Sequence, residues 1–142
     1  MIPDLREDGY LPEGLHLATF DEVADRFGTG SHRRAYLLQR LRKRVELAHS
    51  TGAKRLFIAG SFVTSKTDPN DIDFVIWLAD DFSERVESGS FDANELAQML
   101  QTRNPEEIFA AEDSRDWNDW LQFFCRTRER DNRKQGIVEI QL

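Results

Sequence analysis

Two hydrophobic rhythms run along this chain. One repeats with the 3.6-residue period of a helix face, and the other comes in short unbroken runs too brief for helices. Thr19 and Glu22 form a capping-box pair, and Phe20, Val23, Ala24 and Phe27 follow at helical spacing, which predicts a short helix ending at Gly28. Ser31 is placed to cap a longer helix over about 32–50, with Leu37, Leu38, Leu41, Val45 and Ala48 on one face and Gly52 as its terminator. RLFIAG (55–60) and DIDFVIWLA (71–79) are short apolar runs rich in β-formers. Neither alternates, so both read as strands covered on two faces. The segment between them, SFVTSKTDPN, is too short for a crossover helix. It has room for one helical turn and a turn at Asp68-Pro69-Asn70, so the two strands are expected to pair locally.

Residues 92–102 predict a helix with Leu96, Met99 and Leu100 inward, ended by Asn104-Pro105, and EEIFAA (106–111) predicts a third strand. Trp117, Trp120, Leu121 and Phe124 lie at i, i+3, i+4 and i+7, which predicts a helix over 115–127 packing an aromatic stripe into the core. A polar turn, RERDNRKQG, leads to a last strand in GIVEIQL. Residues 1–18, punctuated by Pro3, Gly9 and Pro12, read as an irregular lead-in. The expectation is one domain spanning 1–142, of α+β (mixed α/β) class, with a small mixed sheet backed by helices.

Composition supports this and narrows it. The chain has 142 residues, 39% of them apolar and 10 of them Phe, enough for one aromatic-rich core. It contains no apolar run of roughly 18 residues and no basic or apolar leader, so the expectation is a soluble, cytoplasmic protein without a membrane partner. One cysteine, Cys125, excludes an internal disulfide and reads as a core residue. The net charge of −7 argues against general nucleic-acid binding, but the charge is divided. Residues 26–66 hold ten Lys or Arg against the single acid Glu46, and residues 80–119 hold twelve acids against three arginines. That polarity suits either solvated helix faces or a surface that steers a charged partner.

The stretch GSFVTSKTDPNDIDFVI (60–76) carries the candidate chemistry. Asp71 and Asp73, two apart in a strand, project from one face at about 6–7 Å between Cα atoms, a spacing that lets two carboxylates share one Mg²⁺ or Mn²⁺. Read alone, the pair is better explained as a turn cap at Asp71 and a solvent-facing charge at Asp73. Gly60 and Ser61 change the balance, because glycine at a strand end admits a ligand close to the backbone and the following turn offers a hydroxyl and N–H groups to a phosphate. Thr64 and Lys66 are further candidate phosphate contacts.

In residue type and spacing, GSFVTSKTDPNDID resembles the signature of the nucleotidyltransferase superfamily related to DNA polymerase beta. The wider chain, from LPEGLHLATFDEVADRFGTGSHRR to GIVEIQL, resembles a small, little-characterised bacterial nucleotidyltransferase-like family assigned to it. The resemblance implies a Mg²⁺-dependent transfer of an NMP group from an NTP to an acceptor hydroxyl. Asp71 and Asp73 would be metal ligands, and Gly60 and Ser61 would bind the beta and gamma phosphates. It also calls for a third catalytic carboxylate, for which Glu107 and Glu139 are the candidates. Typical members carry an arginine soon after the Gly-Ser. This chain has Phe62-Val63 there, with Lys66 nearby as a substitute charge.

A chain of this size lacks the helical domain that larger members use to hold an acceptor. The acceptor is therefore expected to be a protein or RNA, or to be presented by a protein partner encoded nearby. A homodimer is among the expectations because much of the surface is helical. The alternative reading is an inactive nucleotidyltransferase-like domain that binds a protein within a toxin–antitoxin or defence module. A third is an RNA-binding module built on the basic helix 32–50.

Overall fold

The computed structural model describes residues 1–102, 107–127 and 131–142, and for Glu107 the backbone only. The break expected at Asn104-Pro105 and residues 128–130 of the polar turn lie outside these. The chain runs β1 (Gly14–Ala18), α1 (Phe20–Phe27), α2 (His32–Ser50), β2 (Arg55–Ala59), a single 3₁₀ turn (Ser61–Val63), β3 (Asp73–Trp77), α3 (Phe82–Glu87), α4 (Phe91–Thr102), β4 (Glu107–Ala111), α5 (Ser114–Phe124) and β5 (Gly136–Ile140). The five strands form one mixed sheet in the order β1-β5-β2-β3-β4, parallel at its two outer pairs and antiparallel at β5-β2 and β2-β3. The fold is thus a mixed α+β architecture, a small sheet packed against several helices. No helix among the described residues is long and apolar enough to cross a membrane.

The non-alternating runs are covered on both faces, as their pattern requires. Leu56, Ile58, Phe74 and Ile76 face one core cluster with Val23 and Phe27 of α1, Leu37 and Leu41 of α2, and Leu96 of α4. Phe57, Ala59 and Val75 face a second cluster, closed by Trp117 and Phe124 of α5. The aromatic stripe of α5 is therefore core, with Trp117 set edge-on to Phe57 at 5.0 Å. Cys125 is a free, partly buried thiol packed against this second cluster.

Local chemistry fixes the helix starts. Thr19 accepts from the N–H of Glu22, whose carboxylate accepts from the N–H of Thr19, and Ser31 accepts from the N–H of Arg34. Three boundaries differ from the sequence expectation for non-local reasons. The lead-in is not irregular throughout, because residues 14–18 form an edge strand that pairs with β5 at the other end of the chain. β3 begins at Asp73, because Ala59 is its last partner on β2 and the chain turns away at Gly60. α5 stops at Phe124, where the Gln135 side-chain amide donates to the carbonyls of Phe124 and Arg126 and takes over its final turn.

Candidate functional site

At the end of β2 the chain leaves the sheet through Gly60, with φ +85° and ψ −166°, a conformation that glycine alone adopts without strain. Val63 N–H then donates to Gly60 O, Thr64 N–H to Ser61 O and Thr64 Oγ1 to Ser61 O at 2.6 Å, while Phe62 and Val63 anchor the turn in the core. A second constraint acts on Gly60. The register sets Asp73 beside Ala59, and a Cβ on Gly60 would lie 2.7 Å from the Asp73 carboxylate oxygen. Gly60→Ala is therefore expected to force that carboxylate aside and to cost about 1–3 kcal/mol of stability. Thermal unfolding and calorimetry with Mg²⁺ and ATP would read both effects.

Asp71 lies outside the strand, so pleat geometry is not what aligns it with Asp73. Instead, Ile72 is fully buried in the first core cluster, and the half-buried aspartates on either side are turned to the other side. Both line one cleft of about 720 Å³, together with Gly60, Ser61, Thr64 and Lys66. Six of the eight residues singled out in the sequence meet there.

The two glutamates are placed differently. Glu107 stands at the register position beside Asp73 in the parallel β3-β4 ladder, and its side chain is outside the described residues. Glu139 sits on β5 at the level of Phe57 rather than of Ala59 and Asp73, and it does not line the cleft. Its carboxylate takes a two-pronged contact from Arg55, at 2.7 Å from Nε and 2.6 Å from Nη2, and the guanidinium stacks over Trp117 at 4.7 Å. Hydrogen bonding to Glu139 raises the pKa of Arg55 against the opposing effect of burial. Glu139 is thus half of an ion pair on the sheet.

The most consequential residues sit behind the cleft, where the sequence reading saw only a basic helix. Arg34, 6% exposed, makes five hydrogen bonds to four backbone carbonyls. Nη1 donates to Phe27 O and Phe62 O, Nη2 to Thr64 O and Lys66 O, and Nε to Lys66 O, at 2.5–3.1 Å. Burial pushes its guanidinium below the ordinary arginine value, and the charge of Asp68 opposes that shift. Arg33 donates to the carbonyls of Pro69 and Asn70, and Ser31 Oγ to Thr67 O. The start of α2 therefore pins the whole 62–70 segment that joins the Gly-Ser turn to the aspartates. Further along α2, Lys43 pairs with Glu95, and the buried Arg44 donates to Arg40 O. Much of the positive charge expected to meet a partner is thus committed inside the chain. One sequence signal does flag the arginines: the first turn of α2 has no acid and two arginines, the wrong charge for a helix N-terminus.

The lead-in, unassigned by the sequence, forms another wall. Asp8, Gly9 and Tyr10 line the cleft, and Ser65 N–H donates to Gly9 O at 2.9 Å. Asp8 is held by Arg133 at 2.7 Å and by Arg6 at 3.1 Å, and accepts from Tyr10 N–H. The Arg133 contact, aided by Tyr10 and Arg6 and opposed by burial, lowers the Asp8 pKa to about 2. A carboxyl depressed in the folded state stabilises it fully above the unfolded value of about 4, and that contribution is lost as pH falls through about 2. The melting-temperature gap between wild type and Asp8→Asn should be open at pH 5 and close toward pH 2. A gap that does not change with pH would contradict this tether.

Asp71 and Asp73 fit a divalent cation of the Mg²⁺ type, which takes one or two protein carboxylates and completes its shell with water and phosphate oxygens. No group of three or more His, Cys, Asp or Glu side chains arranged to hold a metal is present among the described residues. Lys66 and Arg126 bring positive charge to the same cleft. What these residues define is an α+β domain with a polar cleft at one end of its sheet, lined by three carboxylates, of which Asp8 is tied to Arg133, a glycine-bounded turn and two cations. The chain belongs to the family described as "Family of unknown function (DUF6932)", whose model matches residues 3–141. No curated protein and no solved structure matches it.

Proposed function

We propose that the cleft binds a nucleoside triphosphate with Mg²⁺ or Mn²⁺ and transfers its NMP group to an acceptor hydroxyl, as a member of the nucleotidyltransferase superfamily. The observation that carries this reading is the meeting of Gly60, Ser61, Asp71, Asp73 and Lys66 in one cleft, with Gly60 so close to Asp73 that an added methyl group would displace its carboxylate. In the transfer, the acceptor oxygen forms a bond to the alpha phosphorus, the bond to the bridging oxygen of the beta phosphate breaks, and pyrophosphate leaves. A divalent cation bound there would neutralise charge on the phosphates and lower the pKa of the acceptor hydroxyl. Asp73, the first residue of β3, and Asp71, two residues before it, would hold that cation. The Ser61 hydroxyl and Lys66 hold the terminal phosphates, and Glu107, beside Asp73 in the ladder, is the candidate acceptor of the hydroxyl proton.

The direct test is incubation of the protein with each alpha-labelled NTP, Mg²⁺ or Mn²⁺, and lysate of the native host. Transfer of label to a protein or RNA supports the reading, and the size of the labelled band reports the acceptor. Calorimetry showing no heat with ATP and Mg²⁺ would count decisively against it.

A second reading rests on the ion pair of Glu139 with Arg55, which leaves Glu107 as the sole remaining candidate for the third acid. In that reading the domain is inactive and binds a protein partner in a toxin–antitoxin or defence module. It predicts partner co-purification that survives Asp73→Ala and is lost on charge reversal along 32–50.

A further inference from the structure

The cleft extends beyond the phosphate-type groups. Its far side is formed by the end of α5 and the segment after it, with Phe123, Phe124, Arg126, Thr127 and Gln135. Phe123 is 61% exposed. A single exposed phenyl ring on a surface is ordinary, but this one stands on the wall of a polar cleft and is held in a fixed attitude. Its ring is perpendicular to Trp120 (6.0 Å, 87°) and to Phe124 (5.0 Å, 89°), both of which belong to the aromatic cluster against the sheet. It is therefore an open ring on a rigid mount, at low entropic cost to a ligand that stacks on it.

We propose that Phe123 is the stacking platform for the base of the bound nucleotide, a role that rests on the cleft being the nucleotide site argued above. Charge sets the direction in which the nucleotide lies. Phe123 also lines a second hollow of about 400 Å³ with Ala110, Asp116, Asp119 and Trp120, whose carboxylates repel a polyphosphate. Of the cleft's two cations, Arg126 stands on the α5 side, while Lys66 is grouped in the chain with Ser61 and Thr64 and shares the cleft with Asp71 and Asp73, which would hold the phosphate-bound divalent cation. The phosphates then lie toward the Gly60–Lys66 turn and the base toward α5. A cleft of about 720 Å³ falls within the range of small-molecule sites, with room for a nucleoside beyond its phosphates. A phenyl face carries no hydrogen-bond pattern, so this contact binds any of the four bases.

Titration of wild type, Phe123→Ala and Phe123→Trp with ATP and with inorganic tripolyphosphate, each with Mg²⁺, separates the base from the phosphates. Loss of one stacked base is expected to weaken ATP binding about tenfold in Phe123→Ala. Tripolyphosphate affinity should be unchanged in that variant, and Phe123→Trp should retain ATP affinity. Equal ATP affinity in wild type and Phe123→Ala, or equal loss of both ligands in a variant whose melting temperature matches wild type, would overturn the stacking role. If neither ligand binds wild type, the nucleotide site itself is refuted. If wild type binds tripolyphosphate as tightly as ATP, the phosphate site stands and the base platform falls.

Discussion

Labelling of an acceptor from an alpha-labelled NTP is expected to fall at least about 100-fold in Asp73→Ala, with the melting temperature close to that of wild type. The size of the effect follows from position. Asp73 is the first residue of β3, paired on one side with Ala59 and on the other with Glu107, and its carboxylate closes over Gly60. Strand pairing fixes its backbone from both sides, so its carboxylate reaches the cleft without loop motion. A group held in place before the reaction stabilises charge without reorganising, which is why removing one such group has so large an effect on rate. The fold should tolerate the change because the half-buried side chain lies at a strand end, outside both core clusters. Asp73→Asn keeps the shape and removes the charge, and should behave like Asp73→Ala in labelling. Equal labelling in either variant and wild type would sink the metal-ligand assignment.

Arg34→Met is expected to destabilise the protein by about 3 kcal/mol or more, a fall of about 10 °C or more in melting temperature. Four carbonyls lose a charged donor, and two of these hydrogen bonds, to Phe27 O and Phe62 O, are buried where water does not replace it. The damage should concentrate on residues 62–66, so Mg²⁺-dependent ATP affinity should fall as well, although Arg34 does not line the cleft. Arg34→Lys should recover only part of the loss, because an ammonium is a point donor and cannot reproduce the planar fork that reaches carbonyls on two sides. A melting temperature within about 2 °C of wild type in Arg34→Met would show that the buried guanidinium is not what holds the turn.

The same residue shows where the sequence could and could not be read. Arg34 lies one turn into a helix whose cap, Ser31, and buried face, Leu37 and Leu41, were all legible, because caps and 3.6-residue periods are written in neighbouring positions. Its partners at Phe62, Thr64 and Lys66 are about 30 positions away, and no local rule connects them. β1 was missed for the same reason: its pairing partner, β5, is more than a hundred residues distant. The meeting of Gly60, Ser61, Asp71 and Asp73 at one cleft was legible because these positions lie within fourteen consecutive residues. Glu139 had the local pattern of a strand carboxylate, and only the arrival of Arg55 from the neighbouring strand turned it into an ion pair.

By itself, then, the amino-acid order determined four of the five α-helices among the described residues, α3 not being foreseen, the two central strands and the glycine, serine and aspartates that line the cleft, since each depends on spacing along the chain. The tertiary structure alone decided which acids line the cleft, which cations are consumed as braces, and which aromatic ring stays open beside the cleft. Those outcomes depend on which backbone carbonyls and side chains meet across the sheet, and burial makes such meetings decisive. A charge inside the protein must find a partner, while the same charge in water need not.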